Sequence, residues 1–153
     1  MFKINLSEKS GKTFKLEAEA PSLVGKELHD KIDGKDISTD LEGFEFEITG
    51  ASDKSGFTAM KEIEGIGLGK LLLSYEKGMK KRPRREGKKK MGRNRQKGLR
   101  LRKTVRGKVI SEAISQINLK VLKEGKKKLG EVFADQVKGK EVEGEKEEVK
   151  KEG

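Results

Sequence analysis

The chain has 153 residues, 41% charged and 31% hydrophobic, so its core is small for a single domain of that length. Lys and Arg number 37 against 26 Asp and Glu, a net charge of +11 that draws polyanions such as nucleic acid or an anionic membrane. Absent cysteine excludes disulfides, thiolate metal ligands and a cysteine nucleophile. No apolar run approaches the ~20 residues that cross a bilayer, and Met1–Leu6 lacks the apolar stretch of a secretory signal.

In chain order, Phe2, Ile4 and Leu6 alternate with Lys3, Asn5 and Ser7, and Phe14, Leu16 and Ala18 alternate likewise. The turn formers of Glu8–Gly11 lie between them, which predicts a β-hairpin with one buried face. Leu23, Val24, Leu28 and Ile32 fit one helical face with Ser22 as N-cap, and Gly25 counts against that helix. Phe44, Phe46 and Ile48 alternate with Glu45, Glu47 and Thr49 as a half-buried strand, followed by a turn or loop over Gly50–Gly56. Leu71–Ser74 reads as a short buried strand, and Ile117, Leu119 and Val121 as a last alternating one. Gly125–Gly130 is a basic connector, Glu131–Val137 allows one or two helical turns, and the Lys, Glu and Gly of Lys138–Gly153 predict disorder.

The fold expected is mainly β: a small β-barrel or curled antiparallel sheet with a short helix, a long basic arm and a disordered C-terminal tail. Closure rests only on the need to avoid free strand edges. One β-rich domain spans residues 1–125 and includes the arm at 76–108; a charged segment, disordered from about 138, fills 126–153.

Catalytic chemistry finds no constellation. Gly65-Ile66-Gly67-Leu68-Gly69-Lys70-Leu71 is glycine-rich, but a phosphate-binding P-loop needs four residues between its outer glycines and a Ser or Thr after the Lys. Here three intervene and Leu71 holds the hydroxyl position, so a connector before a strand is the better reading. His29 is the one histidine, no nucleophile elbow surrounds any serine, and neither a zinc site nor a carboxylate two-metal site has its ligands. The expectation is a non-enzyme with no cofactor, no metal and no small-molecule substrate.

The charge is segregated. Met1–Tyr75 carries 10 basic and 14 acidic residues, Val109–Gly153 carries 10 of each, and Glu76–Lys108 carries 17 basic residues against two acidic ones. Like charges at that density repel within a Debye length of roughly 10 Å. On a polyanion, each contacted phosphate releases a counterion instead. The candidate phosphate contacts are Lys80, Lys81, Arg82, Arg84, Arg85, Lys88, Lys89, Lys90, Arg93, Arg95, Lys97, Arg100, Arg102, Lys103, Arg106 and Lys108. The arm has no aromatic residue to stack on single-stranded bases, and no helix-turn-helix or zinc-finger pattern is present. Folded RNA, recognised by shape and backbone, suits it better than DNA. The arm is expected to be mobile alone and ordered on RNA, with Leu99–Gly107 partly strand-like.

Leu101-Arg102-Lys103-Thr104-Val105-Arg106-Gly107 resembles the signature of the archaeal and eukaryotic small-subunit ribosomal protein six family, the S-six-e family. So do Ile48-Thr49-Gly50-Ala51-Ser52-Asp53-Lys54-Ser55-Gly56-Phe57 and Leu71-Leu72-Leu73-Ser74, and Gln116–Val121 falls at the family's closing strand. The likeness runs from about Met1 to Lys123. It departs where Thr58-Ala59 precedes Met60, where the family has Gly-Phe-Pro-Met, and at Lys88–Gln96, which resembles an insertion. No serine follows Ser115, so the chain resembles the short archaeal form, without the serine-bearing C-terminal helix of eukaryotic members.

The resemblance implies a constituent of the small ribosomal subunit that binds ribosomal RNA and supports assembly in the cytoplasm. Its implied partners are ribosomal RNA and neighbouring ribosomal proteins, with no membrane and one copy per subunit. In that reading Arg102, Lys103 and Arg106 hold phosphates. Gly107 permits a tight turn or a close approach of backbone to RNA, and Gly50, Asp53 and Gly56 shape a structural turn with Asp53 as its local cap. The alternative is a free-standing RNA- or DNA-binding module acting outside the ribosome.

Overall fold

The computed structural model describes residues 1–74, 79, 97–125, 128–134 and 136. Strands β1 (Phe2–Ser7) and β2 (Thr13–Ala18) form the expected N-terminal hairpin, with Gly11 at a φ of 88° in its turn. Three further strands complete the main sheet: β3 (Lys31–Asp33), β4 (Glu45–Asp53) and, late in the chain, β7 (Ile114–Lys123). The order across the sheet is β2-β1-β7-β4-β3. A separate two-stranded ribbon pairs β5 (Leu68–Leu73) with β6 (Leu101–Arg106).

The mainly β expectation is met, and two details of it are corrected. Among the described residues the sheet stays open, with β2 and β3 at its edges, so no barrel closes. It is also mixed: β1 runs parallel to β7, while its other pairings are antiparallel. The need to protect edges, from which closure was inferred, is met otherwise. Strand β3 is very short, and the backbone N–H and C=O of Lys15 on β2 both bond the side-chain amide of Gln136, at 2.9 and 2.6 Å.

Period-two alternation sends one face of each main-sheet strand into a single core. Ile4 and Leu6, Phe46 and Ile48, and Ile117, Leu119 and Val121 meet across the register and are almost fully buried. Burying each such side chain contributes about 1.5–3 kcal/mol. Thr49 bulges between Ile48 and Gly50, and that extra residue returns Ala51 to the core face, opposite Ile117.

No α-helix forms over Ser22–Asp33. A 3-10 turn (Pro21–Leu23) leads into irregular chain and then β3. The amides there bond distant carbonyls: Gly25 to Ile110, Leu28 to Lys108 and His29 to Ile48. Gly25 and His29 lie at φ 89° and 74°, which breaks a helical run. Leu23, Leu28 and Ile32 are buried all the same, so their apolar spacing reflects a shared core rather than a helix.

The short C-terminal helix starts earlier than expected, as α1 (Leu129–Val132). Leu129 is buried in the main core and Phe133 stacks on Phe14 with ring centroids 5.5 Å apart. Packing onto the sheet therefore extends past residue 125. The tail expected to be disordered, from about 138 on, lies outside the described residues.

Candidate nucleic-acid interface

The ribbon is joined to the body through the end of β4. The Ala59 N–H donates to the Ala51 carbonyl, Arg106 N–H to Thr58, and Met60 N–H to Arg106, all within 3.0 Å. Met60, Leu73, Met79 and Val105 make a small second core there, with Ile63, Leu71 and Leu99 packed against it.

Asp53 closes β4 in an Asx turn: Ser55 N–H donates to its carboxylate at 3.2 Å and Gly56 N–H to its carbonyl at 2.9 Å. Gly56 has a φ of 82°, which a residue with a side chain rarely adopts. Gly50, expected in the same turn, instead sits inside β4 beside the Thr49 bulge, because the strand runs on to Asp53.

Arg106 is already engaged within the protein. Its Nε and Nη2 donate to Asp53 Oδ2 at 3.0 and 2.5 Å, and Nη1 donates to the Ile66 carbonyl at 3.1 Å. The two side chains are only 14% and 8% exposed. The guanidinium hydrogen bonds hold the Asp53 carboxyl below its ordinary 3.8. Through these bonds Arg106 ties the ribbon to the end of β4. Lys108 is paired too, with Glu27 at 2.9 Å, and that hydrogen bond raises its ammonium above the ordinary 10.5.

Gly107 makes a close backbone approach, to protein. A Cβ there would stand 2.0 Å from the Gly65 carbonyl oxygen, and its N–H donates to Gly67 at 2.9 Å. The exposed 65–67 stretch leads into β5, and its backbone carbonyls take hydrogen bonds from Gly107 and Val109.

Lys97, Arg100 and Arg102 are exposed and Lys103 is half-buried, and none has an ion pair among the described residues. They enter and occupy β6, whose far end Arg106 anchors. Lys80, Lys81, Arg82, Arg84, Arg85, Lys88, Lys89, Lys90, Arg93 and Arg95 lie outside the described residues. Lys70, outside the basic segment, is exposed on β5 across from Thr104. Among the described residues no group of three or more His, Asp or Glu could hold a metal ion.

The family model for ribosomal protein S6e matches residues 2–134. The chain belongs to the ribosomal protein S6e family. Small ribosomal subunit protein eS6 of Methanococcus maripaludis is 37% identical over 130 residues, 84% of this chain and 93% of that protein. The eS6 proteins of Thermoplasma acidophilum and Methanocaldococcus jannaschii are 39% and 38% identical, over 131 and 125 residues. Those matches cover 84% and 82% of this chain and 93% and 84% of the relatives. The S6e family is one of ribosomal proteins rather than enzymes, which places the chain in the ribosome, in the cytoplasm.

Proposed function

We propose that the chain is a structural constituent of the small ribosomal subunit, held on ribosomal RNA by its basic segment, and that this contact supports subunit assembly. The observation that carries the reading is the division of labour among the cations at the base of the arm. Arg106 is bound to Asp53 and fixes β6 to the body, while Lys97, Arg100, Arg102 and Lys103, further along the same segment, have no carboxylate partner among the described residues. Strand β6 and the residues leading into it thus present cations with no ion pair among the described residues, next in sequence to the densest run of positive charge, 80–97.

The physics is phosphate neutralisation. Each Lys or Arg that meets a phosphate releases condensed counterions, so affinity grows with the number of contacts and falls with salt. The half-acidic body adds little to that field, and its role is to position the arm. In this reading Glu76–Lys108 acts as one RNA-binding segment and Lys80 through Lys103 hold phosphates, whereas Arg106 and Lys108 position them.

Sucrose-gradient fractionation of a native lysate tests the proposal. Stoichiometric comigration with small subunits is expected, together with loss of comigration when the basic residues of 80–103 are replaced by glutamine. A chain that stays at the top of the gradient would overturn it, and would favour a module that works outside the ribosome.

A further inference from the structure

The ribbon carries a second surface, on β5, whose chemistry differs from that of the arm. Among the described residues six large hydrophobic side chains are exposed, and Ile66, Leu68, Leu72 and Leu101 belong to the ribbon or its entry. The register puts Leu68, Lys70 and Leu72 on one face of the ribbon with Arg102, Thr104 and the Asp53-bound Arg106, and Leu101 on the other face with Leu73 and Val105. The inner face, with Leu73 and Val105, covers the small core. Leu68 and Leu72 are 52% and 56% exposed, and neither belongs to a core cluster. Two solvent-facing leucines on one strand offer a partner apolar area.

The strand is also an edge. Among the described residues β5 pairs with β6 and nothing else. The main sheet guards its own edges, with a very short β3 and a Gln136 amide plugging β2. Among the described residues β5 is neither short nor plugged. A longer edge with exposed aliphatic side chains is a template for an added strand.

Charge selects what can add. Lys70 is exposed between the two leucines, Arg102 lies across from Leu72, and neither has an ion pair among the described residues. A second copy would bring Lys70 and a net charge of +11 against their equals. RNA would answer Lys70 and Arg102 but leave both leucines without an apolar partner. We propose that β5 takes up an extended segment of a neighbouring small-subunit protein, whose residues facing Leu68, Lys70 and Leu72 are aliphatic, acidic and aliphatic in turn. Backbone hydrogen bonds supply the pairing, and the carboxylate opposite Lys70 sets register and partner. The inference rests on the ribosomal reading above, since the partner is a neighbour in the subunit.

Photocrosslinking tests it. The full chain with p-benzoylphenylalanine in place of the exposed Leu72 is expressed, small subunits are isolated on a gradient and irradiated, and the adduct is identified by mass spectrometry. The expected result is an adduct to another ribosomal protein, within a stretch carrying the aliphatic-x-acidic-x-aliphatic pattern. Adding Lys70→Glu should lower the yield several-fold at equal incorporation. An adduct to ribosomal RNA, to the chain's own C-terminal segment or to a second copy would overturn the inference. So would a label incorporated at full stoichiometry that gives no adduct, or a yield that Lys70→Glu leaves unchanged. A labelled chain missing from the small-subunit fraction would overturn the ribosomal reading itself, and this inference with it.

Discussion

Replacing Gly107 by alanine should damage the free protein, because its close neighbour is protein backbone. The added Cβ would lie 2.0 Å from the Gly65 carbonyl oxygen, 2.7 Å from its carbon and 3.2 Å from the Glu64 oxygen. Comfortable non-bonded separation is about 3.5 Å, so the 64–65 backbone must retreat by about 1.5 Å. It is not free to do so. The Gly65 carbonyl accepts from Val109 N–H at 3.2 Å, Gly67 accepts from Gly107 itself, and Ile66 accepts from Arg106. Overpacking of this kind costs about 1–3 kcal/mol, and weakening two backbone hydrogen bonds adds about 0.5–1.5 kcal/mol each. A destabilisation of about 3 kcal/mol is expected, which for a chain of this size lowers Tm by about 6–12 °C. Urea unfolding with an unchanged m-value and a lowered midpoint, followed without RNA, is the assay. A variant within about 0.5 kcal/mol of the parent but weaker on RNA would refute the reasoning and make Gly107 an RNA-approach glycine.

The other expectations read different parts of the structure. Phe46→Ala empties a fully buried site between β3 and β7 and should cost about 3–5 kcal/mol by urea unfolding; a loss under 1 kcal/mol would mean the core collapses around it. Arg102→Gln with Lys103→Gln should flatten the plot of log affinity against log salt by about 0.7–0.9 per lost contact, while Arg106→Gln should leave its slope unchanged. An equal flattening by Arg106→Gln would show that its guanidinium reaches phosphate. Asp53 has a lowered pKa, so its contribution to stability is present above pH 3.8 and disappears as pH falls through the folded-state value. Asp53→Asn should therefore be less stable than the parent at neutral pH and converge with it in acid. A constant gap at all pH values would rule out the ionised pair as the cause. Lys108 runs the other way: its pairing with Glu27 holds below pH 10.5 and weakens as pH rises through the raised value, so Glu27→Gln should matter least in strong alkali.

The strands legible in the sequence were those with one wet face. Phe2–Leu6, Phe14–Ala18, Phe44–Ile48 and Ile117–Val121 alternate because a single sheet buries one side of each. What misled was spacing without pairing. Leu23, Leu28 and Ile32 mimic a helical face, but the backbone between them is spent on carbonyls of β4 and of the 108–110 loop, and no local pattern reports such partners. The same holds for the site. Asp53 and Arg106 stand far apart in sequence and form one ion pair, so Arg106 looked like its cationic neighbours until its partner was visible. Gly107 was expected to permit a tight turn or a close approach to RNA, and the backbone it approaches in the fold, that of Gly65, could be read only in three dimensions. The charge segregation needed no structure at all, because 17 basic residues within 76–108 are a property of the chain.

The most direct test of the account is the salt dependence of binding between the purified chain and small-subunit ribosomal RNA, measured for the parent and for a chain with the basic residues of 80–103 changed to glutamine. The parent should lose affinity steeply as salt rises. The neutralised chain should keep its Tm, bind weakly and show a slope shallower by about 0.7–0.9 for each phosphate contact removed. Equal slopes for the two chains would contradict the claim that this segment holds the RNA.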